Sequence, residues 1–243
     1  MINLLKLEIF KLKKNLSFKI ICLAVIFIEL VYVYKNGTIT GIKAFECSMY
    51  DVATMMVVGA IFSSLFIGGE FLNRTINQQI VSGYSRISVF FSKVIITFLA
   101  TEILMIIYPI TSVFINTLTN GFGCDFNSNV LLYIVRVLFL RVIIDFSLIS
   151  LLIFFAFLFK DTLKTIGVSI LTFLIGTGCL FTLSKSNEFI NLIYKLTANS
   201  QSRLIISADI SVDNIIFLLL SNLIIMFILI YISYIQFRRY DLK

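Results

Sequence analysis

Glu102, Arg141 and Asp145 are ionisable side chains set inside long apolar stretches. Such groups are costly in hydrocarbon and default to roles in a substrate path or proton relay. Arg141 and Asp145 stand four residues apart, so a helix puts them on one face as a pair. Counting back about 19 residues from Lys160 places Arg141 about 28 Å away, near the outer interface. Snorkelling plus a local ion pair is the plainer account of it. Arg136 lies further outward, and Glu29 lies toward the outer end of its own run. Glu102, about nine residues past Lys93, has no such excuse and could line a path or meet a basic peptide. Metal chemistry finds little support: histidine is absent, and Cys22, Cys47, Cys124 and Cys179 form no Cys-x-x-Cys pair. Asp145 has no obvious aspartate partner for an intramembrane protease. No Gly-x-x-x-x-Gly-Lys-Ser/Thr loop occurs, so this sequence cannot supply an ATP site.

The elements that must position these residues are transmembrane helices. Hydrophobic residues make up 59% and charged residues 14% of the 243, against about 25% charged in a soluble domain. Mean hydropathy is +1.03. Six runs approach the roughly 20 apolar residues that a span needs: 18–34, 52–69, 94–115, 130–159, 165–183 and 215–237. They are continuously apolar rather than alternating, which disfavours a membrane barrel. The fourth is longer than the hydrocarbon core, so its outer third is expected to leave it. Pro109 is expected to kink the third, and Thr172, Gly176 and Cys179 mark a small-residue face on the fifth. With both ends inside, thirteen of the 20 basic residues fall on inner segments and five on outer ones, which is the expected bias. Lys35-Asn36-Gly37-Thr38 offers no small-x-small cleavage site, so the first run reads as an uncleaved span. In this topology Cys47 and Cys124 both lie outside, where a disulfide is permitted.

The N-terminal stretch 1–16 is amphipathic. Ile2, Leu5, Ile9, Leu12 and Leu16 recur at helical spacing, with Lys6, Lys11, Lys13 and Lys14 on other faces. It reads as a helix lying in the membrane interface, with a generic basic flank as the plainer alternative. The outer segment 184–213 holds an apolar stripe of Phe189, Leu192, Ile193 and Leu196, which suggests one or two short helices at the outer face.

Between the second and third runs, Gly68 to Arg86 is polar enough to leave the bilayer. Phe71, Ile76, Ile80 and Val81 sit there among Asn, Gln and Arg. A short helix ending near Gly83 fits, since glycine commonly terminates helices. An exposed helix carrying a few apolar side chains suits protein docking; an ordinary re-entry loop is the competing reading.

This pattern resembles the permease subunits of type-2 ABC exporters. They carry a Glu at the end of the second span, a short helix with Arg-Thr-Ile or similar, a turn, a Ser-Arg pair and a Lys. The matching positions are Glu70, Arg74, Thr75, Ile76, Ser85, Arg86 and Lys93. The ending Phe237-Arg238-Arg239-Tyr240-Asp241-Leu242 is similar to the aromatic-basic-Asp ending of that family. Many members have Pro in the turn where this chain has Gly83-Tyr84.

The resemblance implies an all-α, polytopic permease forming a single transmembrane domain over 1–243. It would have six spans, an interfacial N-terminal helix, a cytoplasmic coupling helix between spans two and three, and short outer-face helices between spans five and six. Glu70, Phe71, Arg74, Thr75, Ile76, Gln79, Ile80, Ser85 and Arg86 would form the coupling and docking segment. Glu102, Arg141 and Asp145 are not among the residues that carry the resemblance; their position alone makes them candidates for a substrate path or for intramembrane charges. Partners would be a cytosolic ABC ATPase subunit, a second permease copy or paralogue, the lipid bilayer and a peptide or amphipathic substrate, with no nucleic acid. ATP and magnesium would sit in the ATPase, and this chain would bind no cofactor. The location would be a bacterial cell membrane, with both termini cytoplasmic. Small members of this size resemble those expelling bacitracin, lantibiotics or other amphipathic peptides. A stand-alone secondary carrier or channel is the alternative; it should show repeated halves or paired helix breaks.

Overall fold

A computed structural model describes residues 2–37, 39–207 and 209–239. Among them there is no strand, and six helices are long and apolar enough to cross a membrane. This bears out the all-α, six-span expectation. A helix satisfies its own backbone polar groups, which hydrocarbon demands.

In chain order the helices are α1 (Ile2–Lys14), α2 (Leu16–Asn36), α3 (Gly41–Tyr50), α4 (Val52–Leu72), α5 (Thr75–Val81), α6 (Arg86–Asn120), α7 (Ser128–Phe159), α8 (Thr162–Ser184), α9 (Glu188–Lys195), α10 (Ala198–Ile206) and α11 (Val212–Arg238). The long candidates for spanning are α2, α4, α6, α7, α8 and α11.

Several expectations need correcting. The third span is longer than its apolar run, because α6 continues through polar residues at both ends for 35 residues, or about 52 Å. It contains Pro109. The helix α3 was not foreseen, because Gly41–Tyr50 mixes charged and apolar residues without a long run. Its start abuts α6: a Cβ on Gly41 would lie 2.1 Å from Thr117 Oγ1, so glycine permits the approach. A π-helical turn interrupts α4 at Ser64–Gly68 and α8 at Ile175–Cys179. Of the small-residue face on α8, Thr172 and Gly176 border a cleft, and a Cβ on Gly176 would find open space. Cys47 and Cys124 are exposed free thiols. Tyr240, Asp241, Leu242 and Lys243 lie outside the described residues.

Burial divides the spans into two groups. In the most apolar 18 residues of α4, α6 and α7, 67%, 56% and 61% are buried; in α2, α8 and α11 the shares are 17%, 6% and 11%. The first three form the core of the described chain, and α11 packs along α7. Lipid tails are as apolar as leucine, so polar contacts and close packing carry much of the association between spans. One such contact is a buried polar network joining α7, α10 and α11. Ser147 Oγ donates to Asn222 Oδ1 at 2.5 Å, and Asn222 Nδ2 donates to Gln201 Oε1 at 2.6 Å.

At the end of the bundle where α1 lies, four spans meet in an aromatic knot. Phe71 (α4), Phe90 (α6), Phe157 (α7) and Phe237 (α11) stack within 4.9–6.3 Å between ring centroids. Offset and edge-on ring pairs add roughly 0.5–1.5 kcal/mol each beyond area burial.

Candidate functional site

The link between α4 and α6 is built from two sharp backbone reversals around one short helix. Arg74 adopts a left-handed conformation (φ 55°) just after α4 ends, and Gly83 does so (φ 97°) just after α5. Glycine takes such a φ without a Cβ clash; a non-glycine residue there is uncommon. Thr75 Oγ1 donates to the Glu70 carbonyl at 3.2 Å, closing the first reversal. Ser85 caps α6 by accepting the Ser88 amide at 3.2 Å. The result is α5, about two turns long and held between fixed bends.

The expected docking residues do not share one face. Phe71 lies in the aromatic knot, and Ile76 is fully buried in the core. Ile80 is half-buried against that core. Arg86 donates to the Arg238 carbonyl at 2.7 Å, tying the start of α6 to the end of α11. The outward side chains are instead Leu72, Asn73, Arg74, Gln78, Val81 and Ser82, with Val81 81% exposed.

Glu70 and Gln79 turn inward to a site that sequence reasoning missed. Lys93 Nζ lies 2.5 Å from Glu8 Oε2 and also meets Glu70. Lys11 Nζ lies 3.3 Å from Glu8 Oε1 and 3.1 Å from Glu70 Oε1. The four charges therefore close a ring of alternating sign, Lys93–Glu8–Lys11–Glu70. Gln79 Nε2 donates to Glu8 Oε1 at 2.7 Å. The ring pins α1, the end of α4, α5 and the foot of α6 to one another.

Glu8 and Lys93 are fully buried. A buried charge is tolerable only when paired and hydrogen-bonded, and each member here has two opposite partners. Burial alone would push the Glu8 carboxyl up, but Lys93, Gln79 and Lys11 outweigh it and hold it below its usual value. Burial would likewise lower Lys11, yet Glu70 and Glu8 raise it. Both shifts favour the charged forms.

The helix α1 supplies Glu8 because its buried row is Leu4, Glu8 and Leu12, at i, i+4 and i+8. Of the expected apolar stripe only Leu12 is in that row; Ile2, Ile9 and Leu16 are exposed. One signal could have found the site: Glu8 is the only acid before residue 29, and it sits between two leucines at helical spacing.

The intramembrane residues come together halfway. Arg141 Nε donates to both Asp145 oxygens at 2.9 and 3.1 Å, and Arg141 Nη1 donates to the Met49 carbonyl at the end of α3. Arg141 is buried rather than snorkelling. Glu102 lines the same void of about 20 Å³, but both its carboxylate oxygens and Arg141 Nη2 lack hydrogen-bond partners. That space suits about one bridging water. Arg136 donates to the Ser207 carbonyl at 2.7 Å.

A family profile described as ABC-2 family transporter protein matches residues 4–176, more than half of the chain. The chain belongs to the ABC-2 transporter family. The matched range takes in α1, the ion ring, α5 and the first four spans. Comparison with curated proteins gave no match. As an ABC-2 permease the chain is a multi-pass membrane component, and the family implies association with an ABC ATPase subunit.

Proposed function

We propose that this ABC-2 permease is the membrane subunit of an ATP-driven exporter of antimicrobial or other amphipathic peptides. Two permease chains, identical or paralogous, alternate the exposure of a path at their interface. Cytosolic ATPase closure moves α5, which acts as the coupling helix. In this arrangement both termini lie in the cytoplasm of a bacterial cell.

One observation carries the coupling role. The helix α5 presents Gln78 and Val81 outward, beside Leu72 at the end of α4 and Arg74 in the turn, while its inner face is fixed through Gln79 to Glu8 and through Ile76 to the core. A push on α5 therefore reaches α1, α4 and α6 together instead of bending a loop. Apolar side chains on a small exposed helix suit a groove on a partner. The weakly buried α2 and α8 are available to a second permease chain.

Val81→Asp tests the docking claim, because it changes the exposed face alone. The expected result is at least a tenfold loss of co-purifying ATPase with membrane insertion unchanged. Wild-type co-purification, together with wild-type ATPase stimulation by peptide, would overturn it. Ile76→Asp is the wrong probe, since a buried carboxylate would disturb the fold itself.

A further inference from the structure

At the end of the bundle remote from the ion ring, α2, α3, α4, α6, α8 and α10 line a cavity of about 690 Å³. That volume is in the range of small-molecule sites. Its polar wall is acidic. Glu29 enters from α2, and Asp51 enters from the junction of α3 and α4. Both acids line the same cavity wall.

They differ in how well the chain satisfies them. Asp51 Oδ1 accepts the Thr54 amide at 3.1 Å, and Asp51 Oδ2 accepts the Tyr108 hydroxyl at 3.1 Å. Glu29 is only 2% exposed. It lies beside the Ser112 and Tyr108 hydroxyls, yet its Oε2 makes no hydrogen bond. None of the ion pairs among the described residues includes either acid. Lys35 and Lys43, the nearest bases along the sequence, are exposed. Tyr32 and Tyr50 line the same cavity; the Arg203 guanidinium already lies over the Tyr50 ring, 5.3 Å from its centroid, so it is the Tyr32 ring that can hold an organic cation by its charge.

A second cleft of about 370 Å³, largely apolar, shares Phe173, Thr177 and Asn199 with the first. An acidic chamber thus abuts an oily one across a common wall. We propose that the pair binds a cationic amphiphile, with its ammonium or guanidinium group between Glu29 and Asp51 and its apolar part in the neighbouring cleft. This rests on the reading of the chain as an exporter of amphipathic peptides, and it assigns the acids that select the cargo. A neutral analogue would leave Glu29 buried without a partner, which is a strong basis for discrimination. A cation placed there gains the pairing that the chain withholds.

The test uses the full chain with its ATPase in nanodiscs of neutral phosphatidylcholine. The probe is a dye-labelled amphipathic peptide of leucine and lysine, compared with the same peptide carrying acetylated lysines. Wild type is expected to bind the lysine form about tenfold more tightly. Glu29→Gln and Asp51→Asn should each bring that ratio close to one, and Glu29→Asp should keep part of it. Both neutral variants are near-isosteric, and melting curves and gel-filtration profiles check folding independently of binding. A tenfold ratio that survives in both variants would refute the site while leaving the export reading standing. If wild type binds neither peptide, the export reading fails and the site fails with it. If replacing choline by sodium alone displaces the lysine peptide, and the variants lose that response, an inorganic cation owns the site and the proposal is wrong.

Discussion

Buried acids sit at both ends of this bundle, and the chain treats them in opposite ways. Glu8 and Glu70 are enclosed with Lys93 and Lys11 in a ring where each charge has two opposite neighbours. Glu29 is equally hidden, yet one of its oxygens has no hydrogen bond, and none of the ion pairs among the described residues includes it. Pairing inside the chain fixes geometry, so the first group acts as a fastening. An acid left short of partners holds interaction energy for something that arrives from outside. The Arg141–Asp145 pair, with Glu102 beside it, falls between the two cases.

Lys93→Met should break this contrast most severely. It leaves Glu8 and Glu70 facing each other with only Lys11 to balance them. Removing one partner of a buried pair costs about 3–5 kcal/mol, so a large fall in melting temperature is expected. The double variant Glu8→Gln, Lys93→Met should recover part of that loss, since the coupling sits between the two residues. A double variant no more stable than Lys93→Met alone would show that Lys93 stabilises by some other route.

A pH series tests the same fastening without mutating it. Glu8 is held below its ordinary value of 4.5, so its contribution is present above 4.5 and fades as pH falls through the lowered value. Lys11 is held above its ordinary 10.5, so its contribution is present below 10.5 and fades as pH rises through the raised value. The docking of α1 should therefore hold steady at intermediate pH and loosen at both extremes. Tryptophan is absent from the chain, so Phe10→Trp on the exposed side of α1 gives a fluorescence reporter. Release of α1 near neutral pH would contradict the ring.

The smallest effect sharpens the comparison. Glu29→Gln should not lower the melting temperature, because none of the ion pairs among the described residues includes Glu29. Glu8→Gln, the same change at the other end, should lower it. Equal losses at the two positions would erase the distinction between fastened and waiting acids.

Most of the skeleton was legible in composition. Continuous apolar runs marked all six spans, and Gly83 with its polar neighbours marked the stop of α5. Arg141 and Asp145 could be paired from their spacing of four. The ion ring could not be read that way, since Glu8 and Lys93 are 85 residues apart and nothing local links them. Phe71 and Ile76 looked like docking groups because their sequence neighbours are polar; only the packing of α4, α6, α7 and α11 turns Phe71 inward. The cavity around Glu29 gathers residues from six helices, one of which, α3, has no apolar run to announce it.

The ion ring also bears on how the protein is made. Glu8 leaves the ribosome long before its partner, and at roughly 5–20 residues per second the separation of 85 residues corresponds to a delay of about 4–17 s. During that interval α1 has only Lys11 to offset its acid and cannot yet close the ring. Arrival of Lys93 at the foot of the third span is then the event that locks the first helix in place, so the first helix to be made docks after the second span.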